Sequence, residues 1–127
     1  MRIAPAATAR ARGADPEGRV TAKPESDPLA LASGGLNSGG ALSACDVYDP
    51  STNDWDGTGA LTTARYYHTQ TSLHADDDLD VVVAGGTRGG GSKFSSTERW
   101  DSASDAWSTV GALNVARWVH TAELLDT

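Results

Sequence analysis

From residue 29 onward, apolar and β-branched positions fall in short runs separated by Gly, Asp, Ser and Asn, the pattern of strands joined by turns. Over 65–73, Tyr67, Thr69, Thr71 and Leu73 alternate onto one face of a pleat, which predicts a first strand. The segment 80–84 reads Asp-Val-Val-Val-Ala and stops at Gly85-Gly86, as expected for a strand buried on both faces. A third strand over 96–101 ends in Trp100-Asp101. A turn through 102–105 then leads to a fourth around Trp107. The same order stands earlier, with strands at 29–33, at 43–49 and around Trp55, the last two joined by the turn Pro50-Ser51-Thr52-Asn53. Asp49 and Asp101 stand where a carboxylate can accept backbone N–H groups across each turn.

The two series are copies. A shift of 52 residues lays Val47-Tyr48-Asp49 on Arg99-Trp100-Asp101, Trp55 on Trp107, Gly59-Ala60-Leu61 on Gly111-Ala112-Leu113, and Ala64-Arg65 on Ala116-Arg117. His68-Thr69 then falls on His120-Thr121, while Gly34-Gly35 and Gly85-Gly86 are 51 apart, so one residue is inserted in the second loop after the glycines. The coincidences involve aromatics, Gly, Arg and His, so a single chance register does not account for them. Paired glycines permit positive φ and close backbone approach, and substitution of Gly85 or Gly86 is expected to cost stability.

A period near fifty residues, with the order Arg-x-x-His, a strand ending in Gly-Gly, an aromatic-Asp pair and then Trp, resembles the Kelch-repeat family. The resemblance covers residues 29–127. It implies an all-β fold of antiparallel four-stranded propeller blades: part of a blade over 29–58, a full blade over 65–109, and the first strand of a next blade over 117–125. About two blades cannot close a propeller, which needs roughly four to eight, so further blades or self-association are expected. Gly34, Gly35, Tyr48, Trp55, Arg65, His68, Gly85, Gly86, Trp100, Trp107, Arg117 and His120 are then scaffold. The aromatics fill the space between blade sheets, and Arg-x-x-His hydrogen-bonds carbonyls in the blade above or beside it, since a group required once per blade is not a unique catalytic residue.

Charge narrows the partners. Of a formal net charge of −7, residues 29–127 hold five basic and thirteen acidic groups. An acidic surface without Lys/Arg clusters argues against nucleic acid. No apolar run is long enough to span a bilayer, and Arg2, Pro5, Arg10 and Arg12 interrupt any signal-peptide core, so no export signal is read. The compartment stays open; similar bacterial repeat proteins are often exported, to the surface or beyond. Residues 1–28, rich in Ala, Arg and Pro, are expected to be disordered, Thr8-Ala9-Arg10 being at most a decayed strand because Gly13 stands where a His would follow. A lone cysteine, Cys45, excludes an internal disulfide and a paired-thiolate zinc site, and reads as a small buried apolar residue.

Four groups invite chemistry, and each has a plainer reading. Asp76-Asp77-Asp78 with Asp80 offers clustered oxygens for calcium, but it lies where a hairpin tip needs polar residues and lacks the spacing of a calcium loop. Arg88-Gly89-Gly90-Gly91-Ser92-Lys93 shares the composition of a phosphate loop without its spacing and is expected to be a flexible linker. Asn53-Asp54-Trp55-Asp56-Gly57 does not meet the order of an Asp box, and His74 has no repeat partner. No nucleophile, base and acid set can be assembled, so neither catalysis nor a cofactor is expected. The 88–94 loop, with Arg88, Lys93 and Phe94, is the candidate binding element for protein or carbohydrate. The alternatives are a fragment of a propeller enzyme of the galactose oxidase or sugar-processing type, and a truncated reading frame without independent function. For the former, Cys45 and Tyr48 on one strand do not recreate the copper site, with its cysteine-tyrosine cross-link, that the resemblance would imply.

Overall fold

The computed structural model describes residues 29–75 and 78–125, with backbone only for 74, 75, 78 and 79. The described chain is all-β: seven strands form two antiparallel sheets. The first sheet has the order β1 (Ala30–Asn37), β2 (Gly40–Asp49), β3 (Asp54–Gly57). The second has β4 (Thr69–Ala75), β5 (Asp78–Ala84), β6 (Thr97–Asp101), β7 (Ala106–Val110). Each strand pairs with its sequence neighbours, so every connection within a sheet is a hairpin.

The repeat in the sequence is a repeat in the ladders. Ala30 pairs with Tyr48 as Val81 pairs with Trp100, and Tyr48 pairs with Trp55 as Trp100 pairs with Trp107. The turns agree as well. Asn53 and Asp105, 52 residues apart, both take the left-handed region at φ 60° and 52°, where Asn and Asp are tolerated. Asp49 Oδ1 accepts the Ser51 N–H at 2.8 Å and Asp101 Oδ1 accepts that of Ala103 at 2.9 Å, closing both turns in the same way.

Three boundaries differ from the sequence reading. β1 does not stop at Gly34-Gly35: a bulge between Ser33 and Gly35 lets it continue to Asn37, because the return to β2 is a tight turn through Ser38-Gly39. The strand expected over 65–73 begins at Thr69, since the backbone groups of 65 and 66 bond outside the β4–β5 ladder, to Leu42, Gly35 and Thr87. Residues 117–125, expected as a strand, are irregular. Their counterparts in β4 are held by β5, and no run among the described residues offers 117–125 such a ladder. The expectation of disorder over 1–28 lies outside the described residues.

One core joins the sheets. Cys45 of β2 and Leu61 of the connection between sheets pack with Val81, Val83, Trp100 and Trp107 of the second sheet, with Leu31 against them. Alternation along each strand explains the membership: Leu31, Cys45 and Val47 point to the second sheet, while Ala30, Ala32, Tyr48 and Trp55 occupy the other face of the first. Trp100 and Trp107, both under a tenth exposed, belong to this core, whereas Trp55 is 55% exposed, with its ring centre 5.3 Å from that of Tyr48.

Candidate interaction surface

The two Gly-Gly pairs, both Arg-x-x-His segments and the 88–94 loop gather at one end of the sheets, where β5 ends and β4 and β6 begin. The connection 58–68 closes on the first sheet through Leu61 N–H to Ser43 O at 2.8 Å, Arg65 N–H to Leu42 O at 3.1 Å, and Gly35 N–H to Arg65 O at 2.8 Å. Residues 111–120 close on the second sheet through the equivalent bonds: Leu113 N–H to Ser95 O at 2.8 Å, Arg117 N–H to Phe94 O at 3.1 Å, and Gly86 N–H to Arg117 O at 2.8 Å. The first glycine of each pair is crowded for this reason. A Cβ on Gly34 would stand 2.7 Å from Arg65 O, and one on Gly85 2.6 Å from Arg117 O and 2.7 Å from His120 Cε1.

Arg65 is fully buried. Its Nη1 donates to Gly85 O at 2.8 Å and Ser96 O at 3.0 Å, and its Nη2 to Ser96 Oγ and Glu98 Oε2, both at 3.0 Å. Glu98, equally buried, accepts the N–H groups of Thr62 at 2.7 Å and Thr63 at 3.1 Å, so both charges are hydrogen-bonded on every side the chain offers. Burial lowers the Arg65 pKa and the Glu98 carboxylate opposes that fall; the guanidinium stays charged. From the connection between the sheets, this arginine thus binds two carbonyls of the second sheet's loop end. Arg117 is exposed, and its Nε reaches only Val115 O at 3.3 Å.

Both histidine rings meet hydroxyls. His68 Nε2 meets Ser33 Oγ at 3.3 Å and His120 Nε2 meets Thr69 Oγ1 at 3.2 Å; both rings leave a buried Nδ1 unpartnered. Desolvation first, and the nearby Arg65 second, lower the His68 pKa, so its imidazole is neutral. Cys45 is buried and burial pushes its thiol up to about 11, which makes it inert. Cys45 and Tyr48 lie on opposite faces of β2, too far apart in direction to be joined.

The 88–94 loop, expected as a flexible linker, is tied down. Thr87 and Tyr66 exchange backbone bonds at 2.8 and 2.9 Å, Phe94 N–H donates to Gly86 O at 2.8 Å, and Thr87 Oγ1 accepts the Gly89 N–H at 2.9 Å. Ser92 Oγ donates to Gly89 O at 2.9 Å. Three successive glycines, Gly89 to Gly91, all take positive φ, which lets the loop turn back on itself. Phe94 is half-buried, with the Arg65 and Arg88 guanidinium carbons 5.2 and 5.8 Å from its ring centre, while Arg88 and Lys93 are exposed beside it.

Sequence reading missed one part of this end. The variable positions inside the two Arg-x-x-His segments carry Tyr66, Tyr67, Trp118 and Val119. Their rings form a chain, with centroids 4.8 Å apart for Tyr66 and Tyr67 and 5.5 Å for Tyr67 and Trp118. Adjacent Tyr66-Tyr67 in the first segment and Trp118 in the second were the available signal. Asp80 binds Arg99, and the side chains of Asp76, Asp77, Asp78 and His74 lie outside the described residues. Among the described residues, no group of three or more His, Cys, Asp or Glu side chains could hold a metal, and no helix is long and apolar enough to cross a membrane. In comparison with known proteins, no family model matches the chain and no curated protein is significantly similar to it.

Proposed function

We propose that the chain is a non-catalytic interaction module of the Kelch-repeat kind, its two sheets serving as blades of an open propeller and its loop end binding protein or carbohydrate. The observation that supports this reading is the division of labour between the repeat and its insertion. Everything repeated at this end (Gly-Gly, Arg-x-x-His, the connecting bonds) is spent on holding one sheet to the next segment. The loop between β5 and β6, one residue longer than its counterpart, is what differs; it presents Arg88 and Lys93 to solvent, and its Gly89 lies near Tyr66, whose ring meets that of the exposed Tyr67. In a chain this acidic, a cationic and aromatic element on a hydrogen-bonded loop is a rigid recognition surface for acidic or ring-shaped groups.

The test is a titration of the purified chain against a glycan panel and a peptide library, scored by calorimetry. Any ligand found should lose about tenfold or more in affinity, about 1.4 kcal/mol, in Arg88→Ala, Lys93→Ala or Tyr67→Ala. Asp101→Asn, at the opposite end, should leave affinity unchanged. A ligand indifferent to all three loop substitutions would place recognition elsewhere and defeat the reading.

A further inference from the structure

We infer that copies of this chain associate head to tail, residues 111–125 of one copy completing the first sheet of the next through the contacts that join residues 59–73 to the second sheet within one chain. The inference rests on the repeat geometry of the reading above rather than on ligand recognition.

Residues 111–120 already make the backward backbone bonds that 59–68 makes through Leu61, Arg65 and Gly35; what they lack is the forward set. Within the chain, Gly59 N–H donates to Asp105 Oδ1 and Trp107 Nε1 donates to Gly59 O, each at 3.0 Å. The equivalent glycine, Gly111, has nothing within 4 Å of a Cβ built on it, and the residues equivalent to Asp105 and Trp107 are Asn53 and the exposed Trp55. Arg65 is matched by Glu98; the exposed Arg117 has as its equivalent partner the exposed Asp46. Tyr66 covers Thr87, which is fully buried, while their equivalents, Trp118 and Leu36, are 38% and 55% exposed. Gly86 is pressed by Tyr66 O at 2.7 Å, whereas Gly35 has nothing within 4 Å.

The strands tell the same story. β4 pairs with β5 from Thr69↔Ala84 to Leu73↔Asp80. Transposed by the repeat, that ladder aligns Thr121 to Leu125 with Ser33 to Leu29. Among the described residues, β1 has a neighbour on one side only, and 121–125 has no strand partner. One end of the chain thus displays an acceptor: the β1 edge, Leu36, Asp46 and Trp55. The other displays a donor: Gly111, Arg117, Trp118 and 121–125. The two are complementary in shape, apolar content and charge because the interior of the same chain already realises the match. Donor and acceptor are different surfaces, so the contact is heterologous and propagates to a ring where the rotation closes and to a filament where it does not.

Light scattering across micromolar concentrations should give masses at multiples of the 13.1 kDa chain. Leu36→Asp disables the acceptor and Trp118→Asp the donor. Both sites are exposed, so circular dichroism should show an unchanged strand signal. Each variant alone should be monomeric, and a one-to-one mixture should give a complex of about twice the chain mass and nothing larger. Ala32→Cys mixed with Ala122→Cys, both in a Cys45→Ser background, should form a disulfide between chains on oxidation, and Ala44→Cys in place of Ala32→Cys should not. A wild-type chain that stays monomeric throughout, single-face variants that still assemble, or a mixture that yields no complex would each overturn the inference. None of these readouts involves a ligand, so loop binding stands or falls separately.

Discussion

Arg65 and Arg117 are the same residue of the repeat in two environments, and the contrast between them is a quantitative test. Replacing Arg65 by Ala removes four hydrogen bonds at 2.8–3.0 Å and the stacking on Phe94, and it strands the carboxylate of Glu98, 1% exposed, with only the Thr62 and Thr63 N–H groups to hold it. Breaking a buried ion pair from one side costs about 3–5 kcal/mol. A domain of this size has a total stability of about 5–15 kcal/mol, so Arg65→Ala should bring the chain close to unfolding. Arg117 is exposed, and its Ala variant should fall within about 0.5 kcal/mol of the parent. Both are to be measured by urea unfolding, with Trp100 and Trp107 as fluorescence probes, in the Leu36→Asp background so that association does not enter. With slopes of about 1–3 kcal/mol/M, the Arg65 variant should lower the midpoint by at least about 1 M. Equal midpoints for the two variants would refute the reasoning that burial between sheets, and not the repeat residue itself, sets the energy.

The other expectations use the same contrast or the same core. Trp107→Ala should cost about 3–5 kcal/mol in urea unfolding and Trp55→Ala well under half of that, because only the first ring is buried. Gly85→Ala should destabilise by at least about 1 kcal/mol, since its Cβ would sit 2.6 Å from a backbone carbonyl at φ 69°, a clash visible as a lower melting temperature. His68 has a folded pKa below its unfolded value of about 6.5, so the unfolded chain binds a proton first as acid is added. Its contribution is therefore complete above that pH and shrinks as pH falls through it toward the lower folded pKa, and His68→Asn should flatten the stability profile below about pH 6.5. The Cys45 thiol should resist a thiol-reactive dye in the folded chain and react at once in denaturant; reaction at the unfolded rate under native conditions would show the site to be open.

The loop end shows how far local sequence reaches. Gly-Gly could be read as a site of close approach because nothing else tolerates positive φ beside a foreign carbonyl, and the structure supplies that carbonyl from Arg65 and Arg117. The order in 88–94 could not be read the same way. Its glycines signal freedom in isolation, and only the bonds among Thr87, Gly89, Ser92 and Tyr66 remove it. The aromatic chain of Tyr66, Tyr67 and Trp118 escaped for a related reason: the rings come from segments about fifty residues apart and meet only when two sheets stand side by side.

From the sequence alone follow the period, the order of the seven strands and the turn chemistry, because each depends on residues within one copy or on the comparison of two copies. Burial does not follow from it. Arg65 and Arg117, Trp107 and Trp55, Thr87 and Leu36, Gly86 and Gly35 occupy identical positions in the repeat, yet in each pair one member is enclosed and the other open. What separates them is whether a sheet stands on the far side, and that is a property of tertiary neighbours which no local pattern encodes.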